Sequence, residues 1–259
     1  MLKKLLKYDL EYMFKFLIIF YSLSLFFGIL TRLLFSIENS FIANIIAQVC
    51  NGAAISMMFS ILINNLMRMW VRFKQNLYGD ESYLTHTLPI SKTNLYLSKI
   101  ITALITLFTS ILVITLTIFI MYYSKENLEM IKNLLFSITD APNFTLLSLI
   151  FILFLEIANV LQCGFTGLIL GHRKNNSKIG FSVLFGFISN ILSQVLVLIM
   201  ILIVGIFNKD IMNLIFTNQM ISIETIKIIT YMSIFMYLII ISIGYFININ
   251  LFKKGVNVD

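Results

Sequence analysis

Polar side chains recur at helical spacing within two of the sequence's apolar stretches. They are Asn44, Gln48 and Asn51 in the second stretch, and Ser189, Asn190, Ser193 and Gln194 in the fifth. Amide and hydroxyl groups inside a membrane helix either contact a polar solute or hydrogen-bond to a neighbouring helix. The spacing therefore predicts either the lining of a translocation path or interhelical hydrogen bonds.

The two polar groups are predicted to lie at similar depth. At a rise of about 1.5 Å per residue, Asn51 lies roughly 15 Å beyond Phe41, and Asn190 lies roughly 16 Å beyond Ile179. Both positions are close to the middle of a bilayer, where either interpretation applies.

Glu156 is the only acidic residue deep within an apolar stretch, and Asn159 and Gln162 follow it on a nearby helical face. No lysine or arginine lies at the same depth to pair with it. An ionisable group inside the bilayer is costly to bury and marks a candidate functional site. Two hypotheses follow: a site that attracts a cation or a proton, or a structural acid that is held by hydrogen bonds.

Catalytic and metal-binding patterns are absent from the sequence. His86 and His172 have no cluster of partner ligands, and no zinc-protease or nucleophile-elbow motif occurs. Cys50 and Cys163 fall inside apolar stretches, as small buried hydrophobic residues do. We therefore predict no catalytic residue, no metal site, no bound cofactor and no enzymatic activity of this chain by itself.

Six apolar stretches must position these residues. The composition is 59% hydrophobic and 12% charged, which is far from that of a soluble domain. A spanning helix needs about 20 mostly apolar residues. The predicted spans are Phe16–Phe35, Phe41–Met67, Leu95–Tyr122, Phe144–Leu170, Ile179–Phe207 and Thr225–Phe252. The fold class is thus an all-α membrane protein, with residues 1–259 forming one transmembrane domain.

The distribution of lysine and arginine predicts the orientation. Fourteen of the nineteen basic residues flank the same ends of the spans. Basic residues concentrate on the cytoplasmic side of membrane proteins. We expect a multi-pass protein of the plasma membrane with both termini in the cytoplasm, and we attribute the net charge of +7 to this asymmetry rather than to nucleic-acid binding.

Two further helical segments are predicted on the cytoplasmic side. Residues 1–15 have an apolar face and a face that carries Lys3, Lys7, Glu11 and Lys15. This pattern predicts an amphipathic helix along the membrane surface, or else a simple basic flank that sets the topology.

The second segment, residues 68–94, connects the second and third spans. Gly79 permits a turn, Asp80 is the predicted N-cap of a short helix, and that helix must end by Leu88 because Pro89 follows. Ser91 is the predicted N-cap of the third span.

This connection resembles the membrane subunits of ABC transporters of the ABC-2 type, especially those of low-GC Gram-positive bacteria. In that family an acidic start, a leucine-rich middle, Pro-(Ile/Val)-Ser and a later lysine lie between the second and third of six spans. The matching residues here are Asp80, Glu81, Leu84, Leu88, Pro89, Ile90, Ser91 and Lys99, with Gly171, His172, Asn176 and Lys178 after the fourth span. Exporters of amphipathic peptide toxins such as phenol-soluble modulins are similar in size and layout.

The resemblance implies that Asp80–Leu88 is a coupling helix that docks on an ATPase and that residues 1–15 are the family's connecting helix. The implied coupling residues are Asp80, Glu81, Tyr83, Leu84, His86, Leu88 and Pro89. The sequence has no phosphate loop, so ATP and Mg²⁺ are expected on a separate ATPase subunit. A second permease copy, identical or homologous, is a further implied partner.

The expected function is export of an amphipathic or antimicrobial peptide by alternating access. The alternatives are an exporter of lipids or small drugs, and a membrane immunity or sensor protein that works without ATP. The outer segments, 125–143 and 208–224, are candidates for closing the outer exit.

Overall fold

Helices account for the regular structure of this chain. The computed structural model describes residues 2–37, 40–123, 127, 129, 142–208, 211–212 and 223–254, and no strand occurs among them. The helices are α1 (Leu2–Phe35), α2 (Phe41–Leu77), α3 (Ser82–Thr87), α4 (Lys92–Tyr122), α5 (Pro142–Gly171), α6 (Lys178–Phe207) and α7 (Ile223–Lys253). The predicted outer segment 125–143 and most of 208–224 lie outside the described residues.

Every helix except α3 is long and apolar enough to cross a membrane, which confirms the six predicted spans. Their apolar cores coincide with the predicted ranges, but α1 and α2 are longer. With 34 and 37 residues these helices reach about 51 Å and 56 Å, well beyond a hydrocarbon core of about 30 Å. Both must therefore extend past the apolar layer on one side.

Residues 1–15 do not form a separate helix in the structure. The described part of this segment is the first half of α1, which continues without a break into the first span. Its buried stripe, which includes Asp9, Met13, Leu17 and Tyr21, also continues at intervals of four residues. The predicted placement along the membrane surface is therefore unconfirmed.

The helices pack as two compact units. Unit 1 comprises Met1–Phe73 and Pro89–Ile131, and unit 2 comprises Lys74–Leu88 and Lys132–Asp259. In unit 1, α1 packs along α4. The α2 helix joins them through side chains such as Ala54 and Met58, which lie against Met121 of α4.

Unit 2 is built on close packing of α5 against α6. A Cβ atom added to Gly167 would lie 2.6 Å from the backbone nitrogen of Gly186, and one added to Gly171 would lie 2.5 Å from that of Ser182. Only glycine allows two helix backbones to approach so closely. Gly167 and Gly171 therefore serve the packing of α5 on α6. The α7 helix packs on both α5 and α6.

The connection between α2 and α4 largely follows the prediction. The chain leaves the helix at Leu88, which has extended backbone angles before Pro89, and Ser91 caps α4 by accepting a hydrogen bond from the Asn94 amide. The predicted N-cap was wrong. The helix starts at Ser82, Glu81 is its N-cap residue, and no side chain caps it. Asp80 is exposed one residue further out.

Candidate functional site

The short helix α3 presents two different faces. Its outward face carries Tyr83 and Leu84, which are 81% and 75% exposed, and Leu88 at its end is also exposed. Its inward face carries Ser82 and Thr85, which are buried. A connecting segment that exposes a large aromatic and a large aliphatic side chain while burying its small polar residues has the form of a docking surface.

The acidic residues at the start of α3 differ in their surroundings. Asp80 is exposed. Glu81 is half-buried, and its carboxylate accepts a hydrogen bond of 3.0 Å from the Asn76 side chain at the end of α2. Glu81 thus fixes α3 relative to α2, whereas Asp80 is accessible to a partner. Pro89 is exposed as well and begins the return to α4.

The residues next to α3 in the chain pack against the ends of other helices of unit 2. Tyr78 is 1% exposed, and its ring stacks on that of His172, with centroids 4.3 Å apart and planes 24° from parallel. His172 directly follows α5. Nδ1 of His172 lies 2.8 Å from the Leu168 carbonyl oxygen, which can only accept, so this nitrogen carries the proton. The stack therefore joins the segment before α3 to the end of α5.

A second contact of this kind involves α7. The His86 ring donates through Nε2 to the Leu77 carbonyl oxygen at 3.1 Å, and its centroid lies 6.3 Å from that of Phe252. Arg173 donates to the carbonyl oxygen of Leu251. The ends of α5 and α7 are thus connected to each other and to the α3 segment. We call Tyr78, His86, His172, Arg173 and Phe252 the inner joint.

Burial raises the pKa of Tyr78, and the positive charge of Arg173 offsets only part of that increase. The phenol therefore stays neutral wherever the protein is folded at ordinary pH. This fits its place as a packing residue of the inner joint.

The predicted polar group of α2 lies in unit 1, and its three residues have different surroundings. Asn44 and Gln48 are exposed, and neither side chain makes a hydrogen bond to another described residue. Asn51 accepts a hydrogen bond of 3.0 Å from the Tyr122 hydroxyl of α4. Asn51 therefore fits the interhelical alternative, while Asn44 and Gln48 stay available to a solute.

The predicted polar group of α6 lies in unit 2 and is mostly engaged. Ser193 accepts a hydrogen bond of 2.8 Å from the Asn159 amide, and Gln194 accepts one of 3.2 Å from the Tyr237 hydroxyl. Ser189 lies within hydrogen-bonding reach of Cys163. These contacts join α6 to α5 and α7.

Asn190 differs from its neighbours in α6. Its side-chain oxygen is buried and accepts no hydrogen bond from the described residues.

Glu156 lies on the exposed side of α5. No described residue donates a hydrogen bond to its carboxylate or forms an ion pair with it. The residue before it, Leu155, is buried in an apolar cluster with Tyr237 of α7. The described residues therefore do not support the hypothesis that Glu156 is a structural acid held by hydrogen bonds.

Unit 1 contains a buried ionic cluster that was not predicted from the sequence. Both carboxylate oxygens of Asp9 accept bonds of 2.7 Å from the Lys99 ammonium, and Arg72 donates to the same carboxylate at 3.2 Å. Asp9 and Lys99 are 3% and 1% exposed. The signal was present, because Asp9 stands on the apolar stripe of α1 and Lys99 lies just inside the third apolar stretch.

Hydroxyl and amide groups continue the contact of these three helices. Ser110 of α4 bonds at 2.8 Å both to the Tyr21 hydroxyl of α1 and to the Asn65 amide of α2. Ser24 and Thr117 bond at 3.2 Å further along.

Among the described residues, no group of three or more His, Cys, Asp or Glu side chains is arranged to hold a metal ion. Comparisons with protein-family models, with curated proteins and with solved structures found no match for this chain.

Proposed function

We propose that this chain is the permease subunit of an ATP-driven exporter of the ABC-2 type, and that it moves an amphipathic peptide out of the cell. The main observation in support is that α3 has two different faces. Tyr83 and Leu84 on one face are exposed, while Ser82 and Thr85 on the other are buried. The resemblance of residues 78–99 to the coupling region of that family supplies the identity of the partner, an ATPase subunit that holds ATP and Mg²⁺.

The inner joint supports a mechanical role for α3. When the ATPase subunits close, they displace α3 through Tyr83, Leu84 and Asp80. The stack of Tyr78 on His172 passes this displacement to α5, and His86 with Phe252 passes it to α7. The covalent connections of α3 pass it to α2 and α4.

The translocation path in this proposal includes the exposed amides Asn44 and Gln48 of α2. Asn51, Ser193 and Gln194, which bond to neighbouring helices, position the path rather than contact the solute. Two permease copies and two ATPase subunits complete the transporter, with this chain in the plasma membrane and both of its ends in the cytoplasm.

The test is reconstitution of the permease with each ABC ATPase encoded in the same genome, followed by measurement of ATP hydrolysis in proteoliposomes. We expect one ATPase to copurify and to be stimulated by the permease. Replacing the exposed pair, Tyr83→Ala with Leu84→Ala, is expected to abolish both effects while the protein still inserts and remains monodisperse.

The matched control is Phe235→Ala with Leu238→Ala, which truncates an exposed aromatic and an exposed leucine of α7. This pair is expected to leave ATPase binding unchanged. Function in cells that lack every candidate ATPase would favour the immunity or sensor alternative instead.

A further inference from the structure

Glu156 is placed where a carboxylate is costly. It lies twelve residues after Phe144 and fourteen before Leu170, near the middle of the fourth span. Its side chain is on the exposed side of α5, and the preceding residue, Leu155, is buried in an apolar cluster with Val197 and Tyr237. An ionised group in such surroundings calls for a partner of opposite charge.

No described residue of this chain supplies that partner. Within the six apolar stretches, Arg32, Lys99 and Lys227 are the basic residues, and each lies within four residues of the end of its stretch. Lys99 is already paired with Asp9. A second copy of the chain has the same residues, so a homodimer contact offers no lysine or arginine at the depth of Glu156.

Tyr237 of α7 lies in the same apolar cluster as Leu155, the residue before Glu156. The Tyr237 hydroxyl is oriented by its hydrogen bond to Gln194. An ionised carboxylate accepts hydrogen bonds and carries a negative charge, which suits a ligand that is a donor or a cation.

We propose that Glu156 is the anionic centre of a membrane-level binding site in unit 2 for an organic cation with an apolar body. The cation contacts Glu156, and its apolar part lies against the surface of α5, α6 and α7. The view that this cation is the ammonium group of an exported peptide rests on the proposed function, whereas the site itself does not.

The first experiment uses tetraphenylphosphonium as the probe, with the permease alone in phosphatidylcholine nanodiscs and empty nanodiscs subtracted. We expect saturable binding by the wild type, at least about tenfold weaker binding by Glu156→Gln, which corresponds to about 1.4 kcal/mol, and retained binding by Glu156→Asp. Tetraphenylborate, of similar shape and opposite charge, is expected to show no saturable binding. Equal binding of tetraphenylphosphonium by wild type and Glu156→Gln would overturn the proposal, as would its absence in the wild type.

A second measurement needs no variant. A hydrophobic carbodiimide modifies carboxyl groups within membranes, and mass spectrometry reports the modified fraction at Glu156. Saturating tetraphenylphosphonium is expected to slow this modification several-fold, and an unchanged rate contradicts the proposal.

Both measurements omit the ATPase, so they are independent of the α3 test. Cation binding without ATPase coupling would retain the site and refute the exporter. Competition by a lysine-containing amphipathic helix, but not by its glutamine analogue, would extend the site to peptides.

Discussion

The two units treat their charged groups in opposite ways. In unit 1, Asp9 is buried between Lys99 and Arg72, and all three belong to different helices. In unit 2, Glu156 lies on the exposed side of α5 near the middle of the fourth apolar stretch, and no described residue forms an ion pair with it. The buried charges of Asp9 and Lys99 in unit 1 are thus paired within the fold, whereas the described residues leave Glu156 of unit 2 without a charge partner.

The same contrast holds for the way the helices pack. The three spanning helices of unit 1 are joined by ion pairs and by hydroxyl bonds such as those of Ser110. In unit 2, glycines bring the backbones of α5 and α6 into contact. Side-chain hydrogen bonds, such as the one that the Asn159 amide donates to Ser193, add to this packing. We infer that the buried polar groups of unit 1 mainly hold structure, while the exposed amides Asn44 and Gln48 of unit 1 and the exposed Glu156 of unit 2 are the better candidates for function.

The largest effect is expected from breaking the ionic cluster of unit 1. Asp9→Ala leaves Lys99 buried without its carboxylate, and such a loss costs about 3–5 kcal/mol of the free energy of unfolding. Chemical unfolding in mixed micelles measures this change. The double variant Asp9→Leu with Lys99→Leu is expected to recover much of the loss, because it removes both charges. The control is Lys7→Ala, which removes an exposed pair with Glu11 and is expected to change the free energy of unfolding by less than about 1 kcal/mol.

Overpacking the glycine contact of unit 2 should have the next largest effect. The added methyl of Gly167→Ala would lie 2.6 Å from the Gly186 backbone nitrogen, which cannot move away as a side chain can. We expect a loss of about 1–3 kcal/mol in the free energy of unfolding. Gly52→Ala in α2 is the matched control, since a Cβ there meets no atom within 4 Å, and it should not destabilise the protein. Equal effects of the two substitutions would refute backbone contact of α5 and α6.

Substitution of Ser110 and of Ser193 allows a direct comparison of the hydrogen bonds that serine hydroxyl groups make in the two units. Ser110 bonds to side chains of two other helices, whereas Ser193 receives one such bond from Asn159. Interhelical hydrogen bonds in membranes average about 0.6 kcal/mol each. Ser110→Ala is therefore expected to cost roughly twice as much as Ser193→Ala in the same unfolding assay. A larger loss for Ser193→Ala would contradict the conclusion that Ser110 makes more interhelical hydrogen bonds than Ser193.

The smallest effect concerns pH and the inner joint. Because burial raises the pKa of Tyr78, its phenol stays neutral in the folded state, while in the unfolded state it ionises near pH 10. This contribution to stability is present below about pH 10 and is lost as the pH rises further. Tyr78→Phe keeps the ring and removes the titration, so its stability should fall less between about pH 9.5 and 11 than that of the wild type. Parallel pH profiles would show that Tyr78 is not buried as described.

Local rules were enough for the connection after α2. Pro89 ends α3 because it disfavours helical geometry in the preceding residue, and the Ser91 side chain satisfies an amide at the start of α4. The rule failed at Asp80, because Glu81 bonds to Asn76 and the chain enters the helix at Ser82. Capping preferences are worth about 1 kcal/mol, which one other hydrogen bond, such as that between Asn76 and Glu81, can outweigh.

The sequence by itself determined the six spans, since their length and apolar composition depend only on neighbours along the chain. It also identified the polar positions of α2 and α6. Only the tertiary structure decided which of those polar side chains form hydrogen bonds to other helices, because such a bond depends on residues far apart in the chain. It paired Asp9 with Lys99 across ninety residues and Asn159 with Ser193, stacked Tyr78 on His172, and left Glu156 on the surface.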